Sequence, residues 1–286
     1  MYRIAGYTFD IEHLEGSQSP ERLVPFFAGD ERPEAVYRFA YRETLSLPPG
    51  AELVGALSDL AVFRLGEGHL FVFLSEGVPY AMTRECSPEE YRITLPLDSL
   101  QAQLHPYVIP NLLMLERPLL RRDCLALHSS CVATERGSIL FTAPSGGRKT
   151  TQSEFWRDSC GAHIVNGDKN ALGRKPGGGF VTYGLPFSGS SPDCLNENHP
   201  LRAVVLLGKG PRDELVRLNG RGFAQLFSQI VQHPWDADYM ERALGLAQAL
   251  CEEVPIYFYS CTKRPQSALT LRDALEREEE RHGADQ

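Results

Sequence analysis

Long apolar runs are missing from this sequence. The most continuous one, residues 203–208, is strand-sized, whereas a helix crossing a bilayer needs roughly 20 apolar residues. No membrane role is expected. The first residues, Met1-Tyr2-Arg3-Ile4-Ala5-Gly6-Tyr7, lack the basic head, apolar middle and small-residue cleavage site of a secretory signal, so the cytoplasm is the expected compartment. The 7 cysteines are scattered and odd in number, with no CxxC pair. That spacing excludes a disulfide framework and a paired-cysteine zinc site, and leaves small buried hydrophobes. Positive charge is also short. With 29 Lys and Arg against 37 Asp and Glu, the net charge of −8 gives no basic face for nucleic acid. The charged run at residues 276–281 reads as the solvated end of a C-terminal helix.

What is present is a globular composition, 42% apolar and 23% charged over 286 residues, enough for one large core or two smaller ones. No internal repeat or low-complexity linker divides it. Residues 2–12, 36–45, 60–65 and 69–74 are rich in aromatic and β-branched residues. Turn signals such as Pro48-Pro49-Gly50 and Gly66-Glu67-Gly68 separate them. These features predict a mostly antiparallel, β-rich N-terminal domain with a helix or two. Residues 104–120 carry Val108, Leu112, Leu115 and Leu119 near helical spacing.

Beyond Arg122 the pattern changes. Strands are predicted at 124–133, 138–142, 162–165, 203–207 and 256–260. Helices are predicted from the loop after Thr142 to about Cys160, and at 223–232, 236–253 and 266–280. Strands alternating with helices indicate an α/β layer structure. The fold class is therefore α+β in the first part and α/β in the second. The boundary falls between about 105 and 122, dividing the chain into domains 1–115 and 116–286.

The segment Ala143-Pro144-Ser145-Gly146-Gly147-Arg148-Lys149-Thr150 follows a predicted strand and opens a predicted helix, the context of a phosphate-binding P-loop. Amides at a helix N-terminus point outward unpaired, and the aligned peptide dipoles favour an anion there. In that reading Ser145, Gly146, Gly147, Arg148, Lys149, Thr150 and Thr151 bind nucleotide. Lys149 reaches the terminal phosphates and the Thr150 hydroxyl holds Mg²⁺. The usual pattern has glycine where this chain has Ala143 and Arg148. A glycine-rich turn capping a helix is the competing description of the same residues.

Two further residues converge on this loop by counting. A right-handed βαβ crossover from residues 138–142 through the next helix places strand 162–165 beside the first and brings Asp168 to the same edge. There its carboxylate can hold Mg²⁺ or take a hydroxyl proton; an ordinary Gly-Asp turn is the other reading. A hairpin turning at Glu135-Arg136 pairs residues whose numbers sum to about 271, so His128 falls opposite Ala143. A second hairpin at Lys175-Pro176-Gly177-Gly178 returns the Gly/Ser loop at 185–190 towards Asp168.

Taken together, His128-Ser129-Ser130, the loop at 141–151 and Asn166-Gly167-Asp168 resemble the HPr serine kinase/phosphorylase family and its P-loop relative, phosphoenolpyruvate carboxykinase. They also resemble the shorter kinase-like proteins found beside bacterial peptide-modifying enzymes. The likeness is good over about residues 123–192 and loose beyond. It implies a C-terminal kinase domain of the HPr kinase type, with ATP and Mg²⁺ as cofactors. It further implies phosphoryl transfer to a serine of a protein or peptide acceptor, which the N-terminal domain is a natural candidate to recognise. Carried over by position, residues 145–150 form the phosphate loop, with Lys149 among the catalytic groups. Asp168 matches the second Asp of the family's pair, and His128 the histidine of the preceding strand. Gly167 stands where the family has the first Asp. Two readings follow: a serine kinase with Asp168 as base and metal partner, or a nucleotide-binding or scaffold protein that kept the loop and lost the chemistry.

Overall fold

A computed structural model describes residues 1–15, 21–29, 32–100, 105–144, 146–189, 191–220 and 222–284. The chain divides into two units, Met1–Pro118 with His233–Ala237, and Leu119–Gln232 with Asp238–Gln286.

The first unit is built on strands β1 (Tyr2–Ile4), β2 (Tyr7–Glu12), β3 (Ala35–Arg42), β4 (Glu52–Ala56), β5 (Leu60–Leu65), β6 (Gly68–Ser75), β7 (Val78–Ser87) and β8 (Glu90–Pro96). They form one sheet in the order β1-β2-β3-β8-β7-β6-β5-β4, antiparallel except where β3 pairs with β2 and β8. The single strand expected over residues 2–12 is two strands. Ala5 and Gly6 take φ of 49° and 78°, reversing the chain so that Ile4 pairs with Tyr7. The helix expected over 104–120 is two short ones, α1 (Val108–Leu112) and α2 (Glu116–Leu120), parted near Met114 at φ 47°; Leu104 lies outside the described residues.

Sequence reading gave no sign that His233–Ala237 belongs to this unit. A buried cation draws it in. Arg117 bonds Glu85 at 2.7 Å and Asp236 at 2.9 Å, and its guanidinium lies 5.4 Å from the centre of the Phe71 ring. His233 lies 3.1 Å from Glu116, and Trp235 covers Gly55 so closely that a Cβ there would strike the indole.

The second unit holds β9 (Cys124–Thr134), β10 (Gly137–Thr142), α3 (Lys149–Cys160), β11 (His163–Asn166), β12 (Lys169–Arg174), β13 (Phe180–Gly184), β14 (Asn198–Lys209), β15 (Glu214–Arg217), α4 (Phe223–Phe227), α5 (Ala237–Glu253), β16 (Ile256–Cys261) and α6 (Gln266–Ala284). Its sheet is mixed rather than the parallel layer that strict strand–helix alternation suggests. β14 is parallel to β10 and β16, while β9, β12 and β13 pair antiparallel. The order is β10-β9-β12-β13-β14-β16-β15, with β11 also on β9, and β14 returns to pair with β10.

Both faces of this sheet are covered, which explains why its central strands are apolar almost continuously. Leu140, Val204 and Leu206 face one core, where α5 packs through Tyr239, Ala243, Leu246, Ala247 and Leu250 at helical spacing. Ile139, Phe141, Val205 and Leu207 face another, filled by Trp156 of α3 and by Ala268, Leu271 and Leu275 of α6.

Two further expectations are corrected. β11 does not lie beside β10; it pairs with β9, which stands between them. Since β9 is antiparallel to both, β10 and β11 still point the same way, and their C-terminal ends still share an edge. The helix expected over 223–232 stops at Phe227, because the following residues take up pairing with β9: His128 N donates to Gln229 O, and Val231 N to Ala126 O. No helix among the described residues is long and apolar enough to cross a membrane.

Candidate active site

The β9–β10 hairpin has the register that the sequence spacing predicts, from Thr134 opposite Gly137 to Ser129 opposite Thr142. The Thr142 hydroxyl donates to the His128 carbonyl at 2.7 Å, fixing the end of β10 against the residue that carries the imidazole. Pro144 then ends the strand, since it has no N–H to give to a ladder. Gly147 N donates back to Pro144 O at 2.9 Å, closing a turn, and α3 starts at Lys149.

Glycine at 147 is a steric requirement. A Cβ there would collide with the Ala143 methyl and the Pro144 carbonyl. This packing also explains how Ala143 stands where the usual loop has glycine: its methyl occupies the space that Gly147 leaves. Arg148 takes a left-handed φ of 74°, a conformation that costs a non-glycine residue about 1–2 kcal/mol. Its guanidinium donates to the Cys261 carbonyl at the end of β16.

The edge opposite the loop is organised by Asn166, which is fully buried. Its Oδ1 accepts from the amides of Asp168 (2.8 Å) and Lys169 (3.0 Å), and its Nδ2 donates to the carbonyls of Leu185 (2.6 Å) and Phe187 (3.1 Å). One side chain thus holds both the Asp168 turn and the start of the 185–190 loop. Ser190 lies outside the described residues, but Gly189 backs directly onto Asp168: a Cβ there would stand 3.1 Å from Asp168 Cγ. Gly167 has no room for a side chain, because Ser191 fills that space. The Ser191 hydroxyl in turn donates to Asp193.

His128, Lys149 and Asp168 meet. His128 Nε2 is 3.0 Å from Asp168 Oδ1 and 3.1 Å from Lys149 Nζ. Burial works to raise the Asp168 carboxyl, but the His128 hydrogen bond and the charges of His128, Lys169 and Lys149 outweigh it and hold Asp168 below the ordinary carboxylate value. With Asp168 ionised, Nε2 carries a proton and donates to Oδ1, so the same nitrogen cannot accept from Lys149. The ammonium then has three donors and, among the described residues, one acceptor, Ala143 O at 3.3 Å. Burial pulls Lys149 below the usual lysine value against the opposing attraction of Asp168. Asp168 Oδ2 makes no hydrogen bond among the described residues.

A cleft of about 670 Å³ is lined by His128, residues 146–151 and Asp168, the nucleotide, metal and catalytic candidates from sequence apart from Ser145, which lies outside the described residues. Sequence reading missed Lys209, Lys263, Arg157 and Asp193, which line it too. For two of these the signal was available, since Lys209 ends the parallel strand β14 and Lys263 follows β16, the strand ends where open sheets gather ligands. Arg148, Lys149, Arg157, Lys209 and Lys263 face Glu154, Asp168 and Asp193 in a protein of net charge −8. Positive charge is therefore concentrated here, on a helix N-terminus, as an anion site requires. Thr150 and Asp168 offer hard oxygen donors of the kind Mg²⁺ takes, and Asp193 adds a third.

No protein-family model matches this chain, and no curated protein does. Among solved structures it is similar to the HPr(Ser) kinase/phosphatase from Coxiella burnetii, with 14% identity, a TM-score of 0.34, and coverage of 56% of this chain and 94% of that one. A likeness that slight assigns no activity.

Proposed function

We propose that the chain is an ATP-dependent kinase that transfers the γ-phosphoryl group to a serine hydroxyl of a protein or peptide. The observation that carries this reading is the meeting of His128, Asp168 and Lys149 over the start of α3. The amides opening α3 and the Lys149 ammonium bind the phosphates and stabilise the charge on the group in flight. Thr150 and Asp168 would hold Mg²⁺, which neutralises phosphate charge when bound. Asp168 Oδ2, with Oδ1 fixed by His128, orients the serine hydroxyl. The serine oxygen forms the new P–O bond as the bond to the β–γ bridging oxygen breaks. ADP departs, and the hydroxyl proton passes to the carboxylate and then to water. The test is ATP-to-ADP turnover by the purified chain with serine peptides, including any encoded beside it, with phosphoserine read by mass spectrometry. ATP binding with no turnover on any acceptor defeats the kinase reading.

Arg148 favours a second reading, nucleotide binding without transfer. Its left-handed backbone is one that glycine adopts freely, and its guanidinium is tied to Cys261. Arg148→Gly relieves strain of about 1–2 kcal/mol but gives up a charged hydrogen bond worth about 1.5–3 kcal/mol. Stability should therefore change little, while ATP binding, measured by calorimetry, becomes equal or tighter. Turnover lost while ADP affinity is kept would instead make Arg148 a γ-phosphate ligand.

A further inference from the structure

At the end of β11 away from the cleft, three side chains come together that the proposed reaction does not use. His163 Nε2 lies 2.6 Å from Glu197 Oε2, and His199 Nε2 lies 2.9 Å from the same oxygen. The three ligand atoms lie within 4.8 Å of one another, and the imidazole centres are 5.7 Å apart. Glu197 Oε1 takes no hydrogen bond among the described residues. Two imidazoles thus aim the same ring nitrogen at one carboxylate oxygen while the other oxygen is left unshared. Such convergence gives little as a pair of surface hydrogen bonds, and it is the donor set of a two-histidine, one-carboxylate metal site.

The backbones that carry these groups are fixed. His163 pairs with Ala133 in β9, Glu197 O accepts from Gly184 N at 3.1 Å, and His199 pairs with Thr182 of β13, whose hydroxyl also donates to the His199 carbonyl. Glu197 and His199, two apart in extended chain, share a face. A tetrahedral cation with bonds of about 2.0–2.2 Å needs donor atoms roughly 3.3 Å apart. The present N···O spacings are a little shorter, and opening them asks only side-chain rotation. His163 is half exposed, at 51%, so a cation has a path in.

We propose that His163, Glu197 and His199 bind a divalent transition-metal cation of the zinc type, which clips the start of β11 to the head of β14. The cation replaces the two N–H···O bonds: each ring proton moves to Nδ1, and the Nε2 lone pairs and the carboxylate become ligands, with water completing the shell. Neither Nδ1 has a protein partner among the described residues, so the outer support that strengthens such sites by about 10–100-fold is absent and the affinity is moderate. The site is separate from the phosphate cleft, since none of His163, Glu197 and His199 is among the residues that line it.

The experiment is calorimetric titration of the metal-stripped full chain with Zn²⁺, together with the visible spectrum of the Co²⁺-loaded protein. One equivalent should bind the parent chain, with Co²⁺ giving a nitrogen- and oxygen-ligated spectrum free of thiolate charge-transfer bands. His163→Ala and His199→Ala should each weaken Zn²⁺ by about 100-fold or more, since losing a ligand exceeds losing its outer support. Zn²⁺ should raise the melting temperature of the parent and not of the variants, whose metal-free melting should be unchanged. Equal Zn²⁺ binding by parent and variants, thiolate bands, or no saturable binding by the parent would each overturn the site. ATP turnover is not a readout, so this result and that of the kinase test are independent.

Discussion

Asp168→Asn should lower phosphoryl transfer by roughly 10²–10⁴-fold, the usual contribution of a positioned general base. The amide keeps an Oδ1 that can accept from His128, and the amide hydrogen bonds of Asn166 are to the backbone at 168, not to the carboxylate. The fold should therefore hold, with melting within a few degrees of the parent, since about 1 kcal/mol moves a domain of this size about 2–4 °C. Acid supplies a second signature. The Asp168 carboxyl is depressed in the folded chain, so its stabilising contribution is complete above the unfolded value of about 4 and is lost as pH falls through the lower folded value. Asn has no such dependence. The stability difference between parent and variant should thus shrink below about pH 4, which denaturant titration across pH can follow. Parent-level turnover in a folded, ATP-binding Asp168→Asn chain would remove the carboxylate from the mechanism.

That Asp168 was reachable from sequence reflects which constraints are local. A tight hairpin fixes its own register, so the turn at Glu135-Arg136 was enough to bring His128 to the mouth of the loop. Asp168 was reached by a count that survives its own error: β11 lies one strand further from β10 than expected, yet parallel direction alone sets which edge receives its end. Long-range pairing was not legible. Residues 228–231 have helical patterning but instead bond to β9 at 126–128, beyond the Ser129–Thr142 pair that ends the β9–β10 ladder. The strength of tertiary pairing, not propensity, decided that segment. Nor was the role of Asn166 visible, because a buried amide bridging two loops looks in sequence like any residue before a Gly-Asp turn. The same holds for Gly167. Its lack of a side chain is set by Ser191, which fills the space a Cβ would need, and nothing near Gly167 in the sequence announces that contact.

Lys149→Ala should separate ligand binding from folding more sharply than any other change in the cleft. In the ligand-free chain the ammonium is held in a partly buried site with Ala143 O as its one acceptor among the described residues, and its depressed pKa says that the fold disfavours the charge. For a base whose folded pKa lies below the unfolded one, stability rises with pH between the two values. The parent should thus gain stability as pH climbs towards about 10.4, the ordinary lysine value, and Lys149→Ala should lack this gain. At neutral pH the variant should melt no lower than the parent by more than the small cost of lost side-chain packing. Phosphate reverses the balance, because it supplies the anion that the ammonium lacks. A charged hydrogen bond of about 1.5–3 kcal/mol lost from the complex weakens ATP-Mg²⁺ by roughly 10–150-fold. Ligand at 100 times the parent's Kd stabilises the parent by about 2.7 kcal/mol. With the larger loss, the same concentration lies just below the variant's Kd and stabilises it by only about 0.3 kcal/mol. Scanning fluorimetry with and without ATP-Mg²⁺ reads both effects on the same samples. A variant that melts like the parent and still shows the full ATP-Mg²⁺ shift would mean that the loop before α3 does not bind the terminal phosphates.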